Sequence, residues 1–244
     1  MDKEKVVFIT GGSKRIGANI ARYFHKKGFK VIIHFNKSAQ DAENLKRDLL
    51  SKRKGSCLTV KADFFEENSI DQVVKEILNS TNKLDVLINN ASSFFSTPIQ
   101  TASKEDWLNL LNTNATIPLF LTQAFKPLLE SSRGCVINIS DSLVDSGISQ
   151  YSLYTAAKAA LESLTKSLSR ELAPKIRVNA IAPGIILWPE NDRTSEEAKK
   201  EIISKTALGR MGSPEDIAAA AYFLYQSTYM TGQVLKVDGG RSSV

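Results

Sequence analysis

Short runs of consecutive apolar and β-branched residues recur along the chain, separated by longer segments of helical period. The first run, Lys5 to Thr10 with Val6-Val7-Phe8-Ile9 at its centre, has no polar alternation. That predicts a strand in a sheet covered on both faces. Further strands are predicted at Lys30 to Phe35, Cys57 to Lys61, Leu84 to Asn90, Gly134 to Ser140, Arg177 to Ala180 and Val234 to Val237. Between them lie helical patterns: one ending at Lys27 with Gly28 as its stop, one from Ser38 to Lys54, and one after Ser69 with Gln72 placed for a capping box. A long helix follows from Trp107 to Glu130, interrupted or bent near Pro118 and Pro127. Another carries Tyr154, and a last one starts at Ser213-Pro214-Glu215-Asp216. Strand and helix alternate without repeats or linkers. The expectation is one α/β domain over residues 1–244, doubly wound on a mostly parallel seven-stranded sheet of Rossmann type. From Ile185 to Thr206 the polar, mixed composition predicts a loop with short helices over the site, around residues 185–206.

The chemistry concentrates in two places. Gly11-Gly12-Ser13-Lys14-Arg15-Ile16-Gly17 forms a tight turn between the first strand and its helix. Such turns bring backbone N–H groups and a helix N-terminus up to a pyrophosphate. Tyr154 and Lys158 are four apart on a predicted helix and so share a face. A cation beside a phenol favours the phenolate and lowers its pKa, which makes the tyrosine an acid–base candidate near neutral pH. The pair lies between two predicted strands, where open α/β sheets place their ligands.

Composition narrows the field. The 244 residues are 42% hydrophobic and 24% charged, an ordinary globular balance. The formal net charge of +6 is not gathered in a stripe; its one dense cluster, Lys46-Arg47 with Lys52-Arg53-Lys54, ends a predicted helix, where cations complement the dipole. No nucleic-acid partner is expected, and the modest positive field suits an anionic cofactor. The charged start leads straight into the first strand and leaves no room for a signal peptide, and no apolar run spans a bilayer, so a cytoplasmic protein is expected. Cys57 and Cys135 are isolated, which argues for reduced, partly buried thiols and against a metal site. With no G-x-S-x-G elbow and only His25 and His34, a hydrolase is not expected.

Taken in order, the motifs resemble those of the short-chain dehydrogenase/reductase superfamily over essentially the whole chain. They are Thr10-Gly11-x-x-x-Arg15-x-Gly17, Asn89-Asn90-Ala91, Asn114, Tyr154 with Lys158, Pro183-Gly184 and Val237-Asp238-Gly239-Gly240. Two departures narrow the likeness: Arg15 replaces the middle glycine, and Asp141, thirteen positions before Tyr154, replaces the usual serine. A one-residue slip would instead put Ser140 or Ser142 there. Both departures are similar to the pteridine reductases, bacterial dihydromonapterin reductases included. So are Asn90-Ala91-Ser92-Ser93-Phe94 with Thr97-Pro98, and His34-Phe35-Asn36-Lys37-Ser38. After Pro183-Gly184, Ile185-Ile186-Leu187-Trp188 lacks a polar residue that the parasite-type enzymes carry and looks more like the bacterial enzymes.

The resemblance implies an NADPH-dependent reductase that converts dihydropterins to tetrahydropterins, with dihydrofolate a further candidate substrate, by hydride transfer to a ring carbon and proton transfer to the adjacent nitrogen. It implies Tyr154 as proton donor, Asp141 as its partner, Lys158 as the group that orients the cofactor ribose, and Asn114 holding a water. It places the cofactor on Gly11, Lys14, Arg15, Ile16, Gly17, Asn36, Lys37, Ser38, Asp63, Asn90, Ala91, Tyr154, Lys158, Pro183 and Gly184. His34 is left open between the ribose phosphate and a structural role. The pterin would meet Arg15, Ser92, Phe94 and Tyr154. A homotetramer built on the Trp107 and Tyr154 helices is expected, with no membrane partner. NADP preference has its own warrant: no carboxylate closes the second strand, where NAD enzymes of this type bind the ribose 2′-OH. The alternatives are a 3-oxoacyl-thioester or general carbonyl reductase on the same fold, and an NADP-binding regulator without turnover.

Overall fold

A computed structural model describes residues 4–189 and 194–243. Its seven strands are β1 (Val6–Ile9), β2 (Lys30–Phe35), β3 (Cys57–Lys61), β4 (Val86–Asn89), β5 (Cys135–Ile139), β6 (Arg177–Pro183) and β7 (Val234–Val237). They form one sheet in the order β3-β2-β1-β4-β5-β6-β7, every pair parallel. The chain order reverses between β1 and β4, so the switch point of the sheet lies at the carboxyl ends of those two strands. The expected doubly wound parallel sheet is therefore what forms.

The unbroken apolar runs have a direct cause. Val7 and Ile9 of β1 join one core with Ile20, Phe24, Phe29, Ile217 and Leu224, while Val6 and Phe8 join the core on the opposite face with Ile77, Leu121, Phe125 and Val136. Alternate side chains point to opposite faces, so a strand buried on both sides needs an apolar residue at every position. Each such buried side chain contributes about 1.5–3 kcal/mol.

Helices α1 (Arg15–Lys26), α2 (Ala39–Lys52), α3 (Ser69–Leu78), α4 (Lys104–Leu111), α5 (Ile117–Ser132), α6 (Ser152–Glu171), α7 (Glu196–Ser204) and α8 (Pro214–Gln226) flank the sheet or the cleft above it. α1 stops where expected. Gly28 takes φ +91°, its N–H bonds the His25 carbonyl, and the Phe29 N–H bonds the Phe24 carbonyl, with the Phe24 and Phe29 rings in edge contact at 5.0 Å. Those are the two bonds and the apolar contact of a glycine-terminated helix. α8 starts with Pro214 in its first turn and a reciprocal Ser213–Asp216 capping box. The box expected at Ser69 and Gln72 does not form. Asn68 is the cap instead, in left-handed conformation at φ 58°, and the Gln72 N–H bonds the Asn68 carbonyl rather than a serine side chain.

The long helix predicted from Trp107 to Glu130 begins at Lys104 and ends at Ser132, and it is interrupted near Pro118 as expected, while Pro127 lies inside α5. Residues Asn112–Thr116 make a π-helical turn between α4 and α5, with Asn114 inside it. Such turns insert one extra residue and re-aim the side chains around them, and they occur often at functional sites. Cys57 and Cys135 are unpaired and buried, Cys135 the more completely, and burial pushes both thiols up to about 12. The basic cluster at the end of α2 is partly neutralised: Asp48 meets both Lys52 and Arg22 at 2.9 Å. No helix among the described residues is long and apolar enough to cross a membrane. Residues 190–193 of the expected substrate loop lie outside the described residues; the rest of it contains α7, which has no buried side chain.

Candidate active site

The turn between β1 and α1 is held open from below. The Asn90 side chain donates to the Thr10 and Gly11 carbonyls at 2.9 and 3.0 Å, and the Asn90 and Ala91 N–H groups both reach the Thr10 hydroxyl. Gly17 sits where α1 crosses this turn. A Cβ there would lie 2.4 Å from the Gly11 carbonyl oxygen and 2.7 Å from Asn90 Nδ2. The backbone thus forms a cradle that a side chain would fill, next to a helix N-terminus with no acidic residue in its first turn. That arrangement fits the pyrophosphate of a dinucleotide. Ile16 packs against the core beside it.

His34 resolves to the structural reading. Its Nδ1 accepts the Gly11 N–H at 3.2 Å and its Nε2 reaches the Ala62 carbonyl at 3.1 Å, so both nitrogens are engaged inside the protein. Burial pushes its pKa down to about 4, which keeps the ring neutral and able to accept. A ribose phosphate therefore finds no free nitrogen on it, which corrects its expected place among the cofactor contacts. The neighbouring groups are better placed: Asn36 and Ser38 are partly exposed, Lys37 is exposed, and Ser38 caps α2 without using its hydroxyl. Asp63 sits beyond β3 and caps its own turn through the Phe65 N–H.

Arg15 occupies the left-handed region at φ 51°. Glycine takes that conformation freely, whereas a side chain there costs about 1–2 kcal/mol. The side chain crosses the cleft and donates to the Trp188 and Leu187 carbonyls at 2.9 and 3.4 Å. It therefore ties the phosphate turn to the loop after β6. Lys14, beside it, pairs with Asp41 at 3.2 Å.

At the carboxyl end of β5 the alternatives for the position before Tyr154 separate. Tyr154 Oη donates to Asp141 Oδ2 at 3.0 Å. The Ser140 hydroxyl turns to Glu162 at 2.6 Å, and that of Ser142 is buried without a partner among the described residues. Asp141 is the one of the three that touches the phenol. Lys158, 2% exposed on the next turn of α6, donates from Nζ to the Ile139 carbonyl at 2.7 Å and stands 5.8 Å from the Tyr154 ring centroid.

The electrostatics correct one expectation. Lys158 does not lower the tyrosine's pKa on balance. Burial, then the Asp141 carboxylate and the hydrogen bond to it, hold the phenol well above its ordinary value of 10. Burial also lowers Lys158 to about 8, which weakens the cation that was to offset them. The pair consequently stores a proton on Tyr154, aimed at a carboxylate, and a protonated phenol is the state a general acid must start from.

The Asn114 side chain is committed to bracing: it accepts from Ser92 Oγ at 2.7 Å and donates to the Ser93 and Leu110 carbonyls. The braced loop presents Phe94, 46% exposed, over the site. Its ring stacks on Tyr151 at 4.6 Å and 11° and meets Tyr154 edge-on at 4.8 Å. Tyr151 was missed in the sequence, although its place three residues before Tyr154 at the start of a helix puts both on one side. Pro183 ends β6 by accepting the Ser142 N–H, and Gly184 lies so close to Asp238 that a Cβ would come within 2.6 Å of its Cα.

Comparison with known proteins agrees with this geometry at the level of the family. Residues 11–242 match the family model described as enoyl-(acyl carrier protein) reductase. The chain is 34% identical over 240 residues to 3-oxoacyl-(acyl-carrier-protein) reductase FabG of Chlamydia muridarum, covering 97% of this chain and 96% of that one. It is 31% identical over 244 residues to the protein of the same name from Staphylococcus aureus, at 98% and 99% coverage. It is also 31% identical over 280 residues to pteridine reductase 1 of Leishmania tarentolae, at 97% and 96% coverage. With its parallel sheet, glycine cradle and Tyr154–Lys158 pair, the chain belongs to the short-chain dehydrogenase/reductase superfamily and is an NAD(P)H-dependent oxidoreductase.

Proposed function

We propose that the protein is an NADPH-dependent reductase of dihydropterins. The observation that carries this reading is the Tyr154–Asp141 hydrogen bond. A serine in that place donates to a substrate carbonyl, which suits ketone reduction. An ionised carboxylate cannot donate, but it accepts the phenol's hydrogen bond. Once protonated from solvent, it can return a proton to Tyr154 after the phenol has given its own to a ring nitrogen, which suits a substrate nitrogen that must be protonated. The cofactor, when bound, supplies the hydride. Gly11, Arg15, Ile16 and Gly17 would hold its pyrophosphate, with Asn36, Lys37 and Ser38 at the 2′-phosphate. Lys158 would hold the ribose, and Tyr154 the proton to be delivered.

Phe94 supports a flat substrate. It offers a broad exposed aromatic beside Tyr154, and offset stacking on such a ring is worth about 0.5–1.5 kcal/mol beyond area burial. Phe94→Ala should therefore raise the KM for a dihydropterin several-fold while leaving the NADPH dissociation constant unchanged. Parallel shifts of both constants would make Phe94 a structural residue.

A 3-oxoacyl-thioester reductase is the second reading, and the names of the relatives at 34–36% identity favour it over the first. Steady-state NADPH oxidation with dihydrobiopterin, dihydromonapterin, dihydrofolate and an acetoacetyl thioester decides between them. The expected order puts a dihydropterin first in kcat/KM. Charge-assisted contacts worth about 1.5–3 kcal/mol each should favour NADPH over NADH by at least about tenfold. A thioester preferred over every pterin would establish the second reading.

A further inference from the structure

Helix α6 touches the end of β5 at three successive residues, with side chains spaced four apart along one face. Lys158 Nζ donates to the Ile139 carbonyl at 2.7 Å, Glu162 Oε1 accepts the Ser140 hydroxyl at 2.6 Å, and Tyr154 Oη donates to Asp141 Oδ2 at 3.0 Å. The first and third of these contacts belong to the site already described, whereas Glu162 has no place in it. Its bond to Ser140 is short, as expected for a hydroxyl donating to a carboxylate. Ser140 is buried, and its N–H also bonds the Ile181 carbonyl of β6. Once the Glu162 contact is made, the residue immediately before Asp141 is fixed at both its main chain and its side chain.

We propose that Glu162 is a positioning residue for proton transfer: by holding the Ser140 hydroxyl it sets the end of β5 so that the Asp141 carboxylate lies against the Tyr154 hydroxyl. The role rests on the reading of Asp141 given above. The charged groups around Glu162 are Lys158 and Lys166 from α6, Asp145 from the segment after β5, and Lys236 from β7. Lys236 is itself paired with Asp145 at 3.0 Å, and among the described residues Ser140 is the hydrogen-bond partner of this carboxylate. Partial burial raises the proton affinity of Glu162, and the Ser140 bond opposes that.

A merely structural carboxylate would cost the same whether or not Asp141 is present; a positioning one would not. The test is a double-mutant cycle on the single-turnover rate constant, using the substrate that the parent enzyme turns over best. Glu162→Ala and Ser140→Ala should each slow the step about tenfold with the NADPH dissociation constant unchanged, yet add less than about twofold to Asp141→Ala. Glu162→Gln keeps an acceptor oxygen for Ser140 and should recover most of the rate. Equal losses with and without Asp141, parental rates in the alanine variants, or a Gln variant as slow as the Ala variant would each overturn the role of Glu162. An Asp141→Ala enzyme as fast as the parent would instead sink the reading of Asp141, and this role with it. Should Glu162→Ala not fold, Ser140→Ala carries the same prediction through the other partner of the bond.

Discussion

Replacing Asp141 by alanine is expected to slow dihydropterin reduction by about 10²–10⁴-fold, the usual contribution of a placed acid–base group. Tyr154→Phe should be at least as damaging, because it removes the proton itself. The geometry sets both expectations. The phenol is 5% exposed and its hydroxyl is bonded to Asp141, so bulk water has little access to replace either partner. Asp141 also accepts the Leu143 N–H at 2.9 Å in a half-buried turn, and the loss of one such bond costs about 0.5–1.5 kcal/mol. Melting temperature and NADPH affinity should therefore stay near the parental values while kcat collapses. A variant that loses cofactor binding in proportion to kcat would show that Asp141 shapes the cleft rather than the proton transfer.

The second large effect is expected at Gly17. A methyl group there would press on the Gly11 carbonyl oxygen at 2.4 Å and on Gly12 Cα at 2.9 Å, and neither backbone atom can rotate away. The turn would have to open, and overpacking of this kind costs about 1–3 kcal/mol. If most of that falls on the bound state, the NADPH dissociation constant should rise by about tenfold to a hundredfold in Gly17→Ala, since each 1.4 kcal/mol is tenfold. Fluorescence titration of NADPH checks it. Parental affinity in that variant would mean that the cradle relaxes freely and does not bind the pyrophosphate.

Much of this architecture was legible because of how parallel sheets are buried. β1, β4 and β5 are apolar at nearly every position since both faces meet a core, so their places could be read from runs alone. The π turn at Asn112–Thr116 had a weaker signal. Pro118, one residue into α5, marked where the helix is interrupted, because its ring and missing N–H disturb the turn before it, but not that this turn is π-helical. The Ser69 box failed because Asn68 could adopt the left-handed conformation and cap the helix through its backbone.

The site divides in a similar way. Tyr154 and Lys158 were legible from their spacing on one helix face, whereas Asp141 was expected only from the resemblance, with Ser140 and Ser142 left open. The sign of the tyrosine's shift was not legible, since it depends on how much water burial removes and on which charge stands closer, and both are tertiary facts. Glu162 was invisible for the same reason: its partner Ser140 lies 22 positions away, on another element. His34, near the end of β2, was open between the ribose phosphate and a structural role, and only the Gly11 and Ala62 contacts show that its ring is already used.

The most direct measurement is the pH–rate profile of Asp141→Ser for dihydropterin and for an acetoacetyl thioester. The serine donates to a carbonyl but cannot share a proton with Tyr154. Pterin turnover should stay as low as in Asp141→Ala, while the variant gains weak activity on the thioester. Parental pterin turnover with an unchanged pH profile would contradict that: Asp141 would then lie outside the proton path, and the 3-oxoacyl reading would take its place.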